Sequence, residues 1–146
     1  MLHNRDAFPT IEVNGMSPIE LFKQFMSENI FEIIASCTNH YGRSKEDYWV
    51  DIEVEDIKAF VGVLIGISVQ GSNKRSVKQI FCNNVASSVL ARSTFTRRKF
   101  EKILKFIRFD DAPLRQQRLQ ETGESGNVLD MINMIFDPFI QNCKYC

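Results

Sequence analysis

Several groups of residues in this sequence have types and spacings that could do chemistry. Asp110 and Asp111 are adjacent carboxylates at the end of a cationic stretch. Cutting or transferring a DNA strand by a two-metal route needs carboxylates that converge on ions a few ångström apart. Sequence neighbours do not generally face one site, and no third carboxylate is fixed beside them. The expectation is a solvated turn at a helix end. Cys143-x-x-Cys146 has the spacing of half a zinc site. A complete site needs a second pair, and only Cys37, Cys82, His3 and His40 remain, scattered singly. Structural thiols are expected, with Cys143 continuing the face of Phe139. His40 has no nucleophile tied to it, and Asn39 reads as bonding local backbone at a helix end. Tyr48 and Trp49 read as core or lid packing and not as a base-stacking platform. No metal, cofactor or small-molecule substrate is expected.

The strongest chemical feature is the run Thr96–Asp111, TRRKFEKILKFIRFDD. Between Arg92 and Arg108 there are seven bases and one acid. On a helical wheel Arg98, Lys102 and Lys105 share a face opposite a stripe of Phe100, Ile103, Leu104 and Ile107. Arg97–Glu101 and Glu101–Lys105 are i, i+4 pairs, ordinary for a solvated helix. By charge alone such a face is either a well-solvated exterior or a grip for a polyanion. Phosphate contacts by it would be independent of base sequence and sensitive to salt. No helix-turn-helix or other base-reading motif stands out.

These residues must be positioned by a fold, and the rest of the chain says what kind. The 146 residues are enough for one domain with a real core. Lys plus Arg equals Asp plus Glu at 18 each, for a formal charge of zero. That total hides an acidic first part and a basic remainder: residues 1–60 carry eleven acids and five bases, and residues 61–146 carry seven acids and thirteen bases. No signal peptide is visible. No apolar run reaches the ~18 residues of a membrane span. The four cysteines form no secretory framework, so an intracellular, reduced protein is expected.

Apolar residues recur at helical spacing nearly throughout, and no strand alternation appears. Residues 1–17 read as an extended lead-in. Ser17-Pro18-Ile19-Glu20 is a capping box with proline in the first turn. Ser27 is expected to cap a second helix with Ile30, Phe31, Ile33, Ile34 and Cys37 inward, ended by Gly42. A third helix over Val54–Gln70 should bury Ile57, Phe60, Val61, Leu64, Ile65 and Ile67, closed by Gly71. Gly62 and Gly66, four apart within it, point to close approach of another helix. Short helices follow around Ser76–Cys82 and Val85–Arg92, then the cationic helix capped by Thr96. Residues 18–109 thus form a helical domain. Residues 110–127 read as a polar, flexible connection. Residues 128–146 form a C-terminal helix with Leu129, Ile132, Ile135, Phe136 and Phe139 inward, kinked or restarted at Pro138. The fold class is all-α: one domain of about six mostly short helices.

The order of these pieces resembles a known family. Pro18–Phe22 (Pro-Ile-Glu-Leu-Phe), then Thr38-Asn39-His40-Tyr41, then IKAFVGVLIGISVQG and then TRRKFEKILKFIRFDD are similar to the N-terminal part of the piggyBac transposase domain. The resemblance covers roughly residues 18–146. It departs where Ile80-Phe81-Cys82 stands near the family's Tyr-Trp pair, where Lys99 replaces an arginine, and where Val128 replaces a lysine. In the family a strand bearing the first of three catalytic aspartates, on a ribonuclease-H-like fold, follows a helix of the Phe139-Ile140-Gln141-Asn142-Cys143 type. No counterpart of those aspartates, of that fold, or of the family's zinc-binding segment is found here. The resemblance therefore implies a non-catalytic module in the nucleus that binds duplex DNA or dimerises. Arg98, Lys102 and Lys105 would take phosphates, supported by Arg97, Lys99, Arg108, Lys74 and Arg75. Two other readings stay open. One is a protein-interaction module without DNA affinity, partnered by a second copy or a full-length transposase. The other is a truncated or decayed transposase fragment without independent function.

Overall fold

The computed structural model describes residues 15–72, 74–84, 87–123 and 128–145. The first helix, α1 (Pro18–Phe25), starts as its capping box dictates. The Ser17 backbone N–H donates to Glu20 Oε2 at 2.7 Å, and the Glu20 N–H returns a bond to Ser17 Oγ. Next comes α2 (Glu28–Arg43), whose N-cap is Ser27 as expected. The Ser27 hydroxyl makes no capping bond; it accepts from Asn142 Nδ2 at 3.3 Å. A tie to the C-terminal helix thus replaces the local one.

The third helix, α3 (Val54–Val69), ends in a Schellman motif. Gly71 takes φ +64°, its N–H donates to Ser68 O, and the Ser72 N–H donates to Ile67 O. Short helices follow at α4 (Val77–Ile80), with a Ser76/Gln79 capping box, and α5 (Val89–Thr94), capped by Ser88. The expected helix over Val85–Arg92 is therefore displaced: Val85 and Ala86 lie outside the described residues, and the Ser88 hydroxyl sets the start. Thr96 caps α6 (Arg97–Phe106) by accepting from the Lys99 N–H at 3.2 Å.

The connection expected over 110–127 is corrected by α7 (Ala112–Thr122). Asp111 caps it by accepting from the Leu114 N–H, Pro113 sits in its first turn, and Gly123 closes it at φ +65°. Polar composition concealed it because α7 exposes most of its surface. A 3-10 turn at Val128–Met131 leads into α8 (Asn133–Tyr145), which runs through Pro138 without a break. The described residues hold eight α-helices and this turn, more elements than the expected six or so. No strand is present among them.

Helix α2 lies at the centre, with α3 and α6 on one side and α8, backed by α1, on the other. The core joins Ile30, Phe31 and Ile34 of α2 to Ile57, Phe60, Val63 and Ile67 of α3 and to Phe100 and Ile103 of α6. Phe100 is its aromatic hub, with Phe60 and Phe81 rings at 5.0 and 5.2 Å. Two apolar faces differ from the periodicity reading. On α3 the buried set is Ile57, Phe60, Val63 and Ile67, while Leu64 and Ile65 are exposed. On α6 the buried set is Phe100, Ile103 and Phe106; Leu104 is 47% exposed. Helix α3 is apolar over more than one face, so pattern alone could not choose which face docks; on α6 the stripe docks as expected and only its edge differs, Phe106 lying inside in place of Leu104. The α3 glycines also part company. A Cβ on Gly66 would meet Leu90 Cδ2 of α5 at 2.3 Å, whereas Gly62 has nothing within 4 Å.

Candidate nucleic-acid interface

The cationic helix α6 presents its outer face to a loop, residues 44–53, that connects α2 to α3. Two side chains of α2, Asn39 and Arg43, and the space left by Gly42 fix that loop. Asn39 is buried and clamps Ile52, donating from Nδ2 to its carbonyl at 2.9 Å and accepting its N–H on Oδ1 at 2.8 Å. The same Oδ1 accepts the Trp49 indole N–H at 3.0 Å. Asn39 therefore organises backbone thirteen residues away, not the local helix end. Gly42 lies inside α2 and does not cap it. A Cβ there would sit 2.3 Å from Trp49 Cδ2, so the missing side chain makes room for the indole. Arg43 and Asp51 pair across the loop. The seated Trp49 packs edge-on against Phe106 with centroids 5.0 Å apart.

Between loop and helix lies an open groove of about 970 Å³. One wall is α6, contributing Arg98, Lys99, Lys102 and Lys105. The other is the loop, contributing Lys45, Glu46, Asp47, Tyr48, Val50 and Asp51. Lys102 Nζ sits 3.9 Å from the centroid of Trp49, a cation–π contact worth about 0.5–2 kcal/mol. Lys105 is 73% exposed and 3.9 Å from Glu46 Oε1, too far for a hydrogen bond. Arg98 makes no ion pair or hydrogen bond among the described residues.

The cations expected to support these three are placed differently. Arg97 Nε donates to Glu101 Oε1 at 2.8 Å, and Lys99 Nζ donates to Asp56 Oδ1 at 2.6 Å. Arg108 lies with its guanidinium carbon 3.7 Å from the Tyr41 ring centroid and donates to the Ile107 carbonyl. Lys74 and Arg75 are in the turn between α3 and α4 and do not line the groove. The structure thus gathers Arg98, Lys99, Lys102 and Lys105 on one wall, and Lys99 is the one of these held by a close carboxylate. Of the two i, i+4 pairs expected, Arg97–Glu101 forms, while Lys105 turns toward Glu46 and not Glu101.

The adjacent aspartates are not a solvated turn. Asp110 pairs with Arg115 of α7, and both are largely covered. Asp111 Oδ2 lies 2.5 Å from His40 Nδ1 while Oδ1 caps α7. The pair thus points two ways and staples α7 to the end of α2, around a 300 Å³ hollow that also holds Cys37 and Arg108. Burial, with the Asp111 and Asp110 carboxylates adding to it, pushes the Cys37 thiol up to about 11. Among the described residues no three His, Cys, Asp or Glu side chains could jointly hold a metal ion. Cys143 is exposed and does not continue the Phe139 face; Cys146 and His3 lie outside the described residues.

Sequence reasoning missed the Asn39–Gly42–Trp49 clamp and the buried ring of Phe106. The signal available was the alternation of Trp49 and Ile52 with polar or exposed neighbours, but it says nothing of the residue that receives them. Tyr48 was read as packing, yet it is 95% exposed. No helix of the described residues is long and apolar enough to cross a membrane.

The family described as Transposase IS4 matches residues 17–145. The chain is also 27% identical over 97 residues to human PiggyBac transposable element-derived protein 5. That match covers 62% of this chain and 18% of the relative, so the aligned part is less than a fifth of the human protein. No solved structure matches. A family match running from the first capping box to the end of α8 makes the chain a member of the transposase IS4 family, of piggyBac-derived type.

Proposed function

We propose that this chain is a non-catalytic, transposon-derived module that grips duplex DNA by its phosphates along the α6 wall of the groove, in the nucleus. The observation that carries this reading is the state of three cations. Arg98, Lys102 and Lys105 stand at i, i+4 and i+7 on one outer face, and none has a carboxylate within hydrogen-bond distance. Their flanking neighbours Arg97 and Lys99 are already neutralised by Glu101 and Asp56. Among the described residues Arg98 has no acidic partner, Lys102 rests on the Trp49 ring, and Lys105 has only the looser 3.9 Å approach of Glu46, so all three can turn to a phosphate without breaking a close ion pair. The non-catalytic part concerns these residues: among those described, no three His, Cys, Asp or Glu side chains stand together to hold the metal ions that strand cutting needs.

The test is affinity for a labelled duplex across a salt series. Each neutralised phosphate contributes about 0.9 to the slope of log affinity against log salt. Replacing Arg98, Lys102 and Lys105 together by alanine should lower that slope by about 2 to 3. An unchanged slope would overturn the assignment, and magnesium-dependent nicking by the purified chain would overturn the non-catalytic part.

A second reading has its own support. Ile65 and Val69 of α3, with Val89 and Leu90 of α5, are exposed side by side on packed helices, and Val69 is 83% exposed. Such a face fits a protein partner, either a second copy or a full-length transposase. Sedimentation with and without DNA separates the two readings.

A further inference from the structure

The groove is asymmetric in charge and in aromatic content. Four of its five cations come from α6, with Lys45 the fifth, and three of its four acids, Glu46, Asp47 and Asp51, come from the loop, with Glu101 the fourth. A polyanion lying in it must therefore run its phosphates along α6 and turn its other side toward the loop. What the loop presents there is Tyr48. Its ring makes no hydrogen bond or ring contact among the described residues and stands almost wholly in water.

An exposed tyrosine on a wandering loop would mean little, but this loop is held. Asn39 bonds Trp49 and Ile52, Arg43 bonds Asp51, and the backbone N–H groups of Lys45 and Glu46 donate to the Gly42 carbonyl at 3.0 and 2.9 Å. Trp49 is turned in, and its neighbours Tyr48 and Val50 are turned out. The held loop thus fixes the Tyr48 backbone at the rim of a groove whose other wall carries Arg98 and Lys102, with the ring in solvent. An aromatic side chain on a fixed loop beside a cationic track is the arrangement that stacks bases of a single strand. Bases inside a duplex offer it no free face; an unpaired base does.

We infer that Tyr48 is a stacking platform for an unpaired nucleobase, so that the groove takes a single-stranded tail whose phosphates lie on Arg98 and Lys102. This rests on the phosphate-binding reading above and adds to it a preference for unpaired ends.

The experiment compares a blunt duplex with the same duplex carrying a short single-stranded tail that holds 2-aminopurine. Anisotropy gives affinity, and quenching of the 2-aminopurine gives stacking. The tailed duplex should bind roughly tenfold or more tightly than the blunt one and show quenching. Tyr48→Ala should abolish both the preference and the quenching, while Tyr48→Phe, which keeps the ring, should retain them. Because Tyr48 touches nothing in the core, loss of folding does not confound the result. Salt-dependent binding of blunt and tailed duplex alike, unaltered by Tyr48→Ala, would overturn the stacking inference and leave the phosphate reading standing. No binding to either duplex would overturn both.

Discussion

Replacing Asn39 by alanine tests whether one amide holds the groove's second wall. The substitution removes three hydrogen bonds: two to the Ile52 backbone at 2.8 and 2.9 Å and one from the Trp49 indole at 3.0 Å. Ile52 is buried, so its N–H and carbonyl would be left without partners, at about 1–3 kcal/mol each. Trp49 is only partly buried, and its N–H can turn to water at little cost. The total is about 2–6 kcal/mol, a large share of the roughly 5–15 kcal/mol that stabilises a domain of this size. The assay is urea denaturation followed by far-UV circular dichroism and by fluorescence. Trp49 is the sole tryptophan, so its emission reports the loop directly. The midpoint should fall and native emission should shift to the red. Asn39→Asp keeps both acceptor contacts but turns a carboxylate oxygen onto the Ile52 carbonyl. It should be similarly destabilised at neutral pH and recover partly in acid, when the protonated carboxyl can donate again. A loss below about 1 kcal/mol for Asn39→Ala, with unshifted emission, would refute the clamp.

The two kinds of glycine should behave oppositely. Gly42→Ala puts a methyl 2.3 Å from the pinned indole of Trp49 and should cost about 1–3 kcal/mol in urea unfolding; a neutral result would mean the indole is free to move. Gly62→Ala enters open space on α3 and should stabilise the chain by about 0.5–1 kcal/mol through helix propensity, again read from the urea midpoint. Cys37 should make stability fall in alkali. The unfolded thiol loses its proton above about pH 9.0 and the folded one only near 11, so its contribution is present below 9.0 and lost as pH rises to 11. Two pH units correspond to about 2–3 kcal/mol, and Cys37→Ala should flatten that part of the midpoint-versus-pH curve. Identical curves for both proteins would count against it.

Local signals were readable because their causes are local. The box at Ser17, the Thr96 cap and the Gly71 stop each rest on bonds spanning three to five residues. Helix α7 has a local cap at Asp111 too, but its polar, largely exposed sequence lacks the apolar stripe that marks the other helices. The order of motifs likewise carried the family resemblance with no help from packing.

What the sequence by itself determined was the all-helical class, the place of most helices and the membership of a transposase family, because capping, periodicity and motif order act within a few turns of chain. Only the tertiary structure decided which face of α3 is buried, that on α6 Leu104 is outside and Phe106 inside, and which cations meet a close carboxylate. Lys99 meets Asp56 across 43 residues and Asn39 meets Ile52 across thirteen. Such pairings depend on how the helices dock, and several dockings satisfy the same apolar pattern.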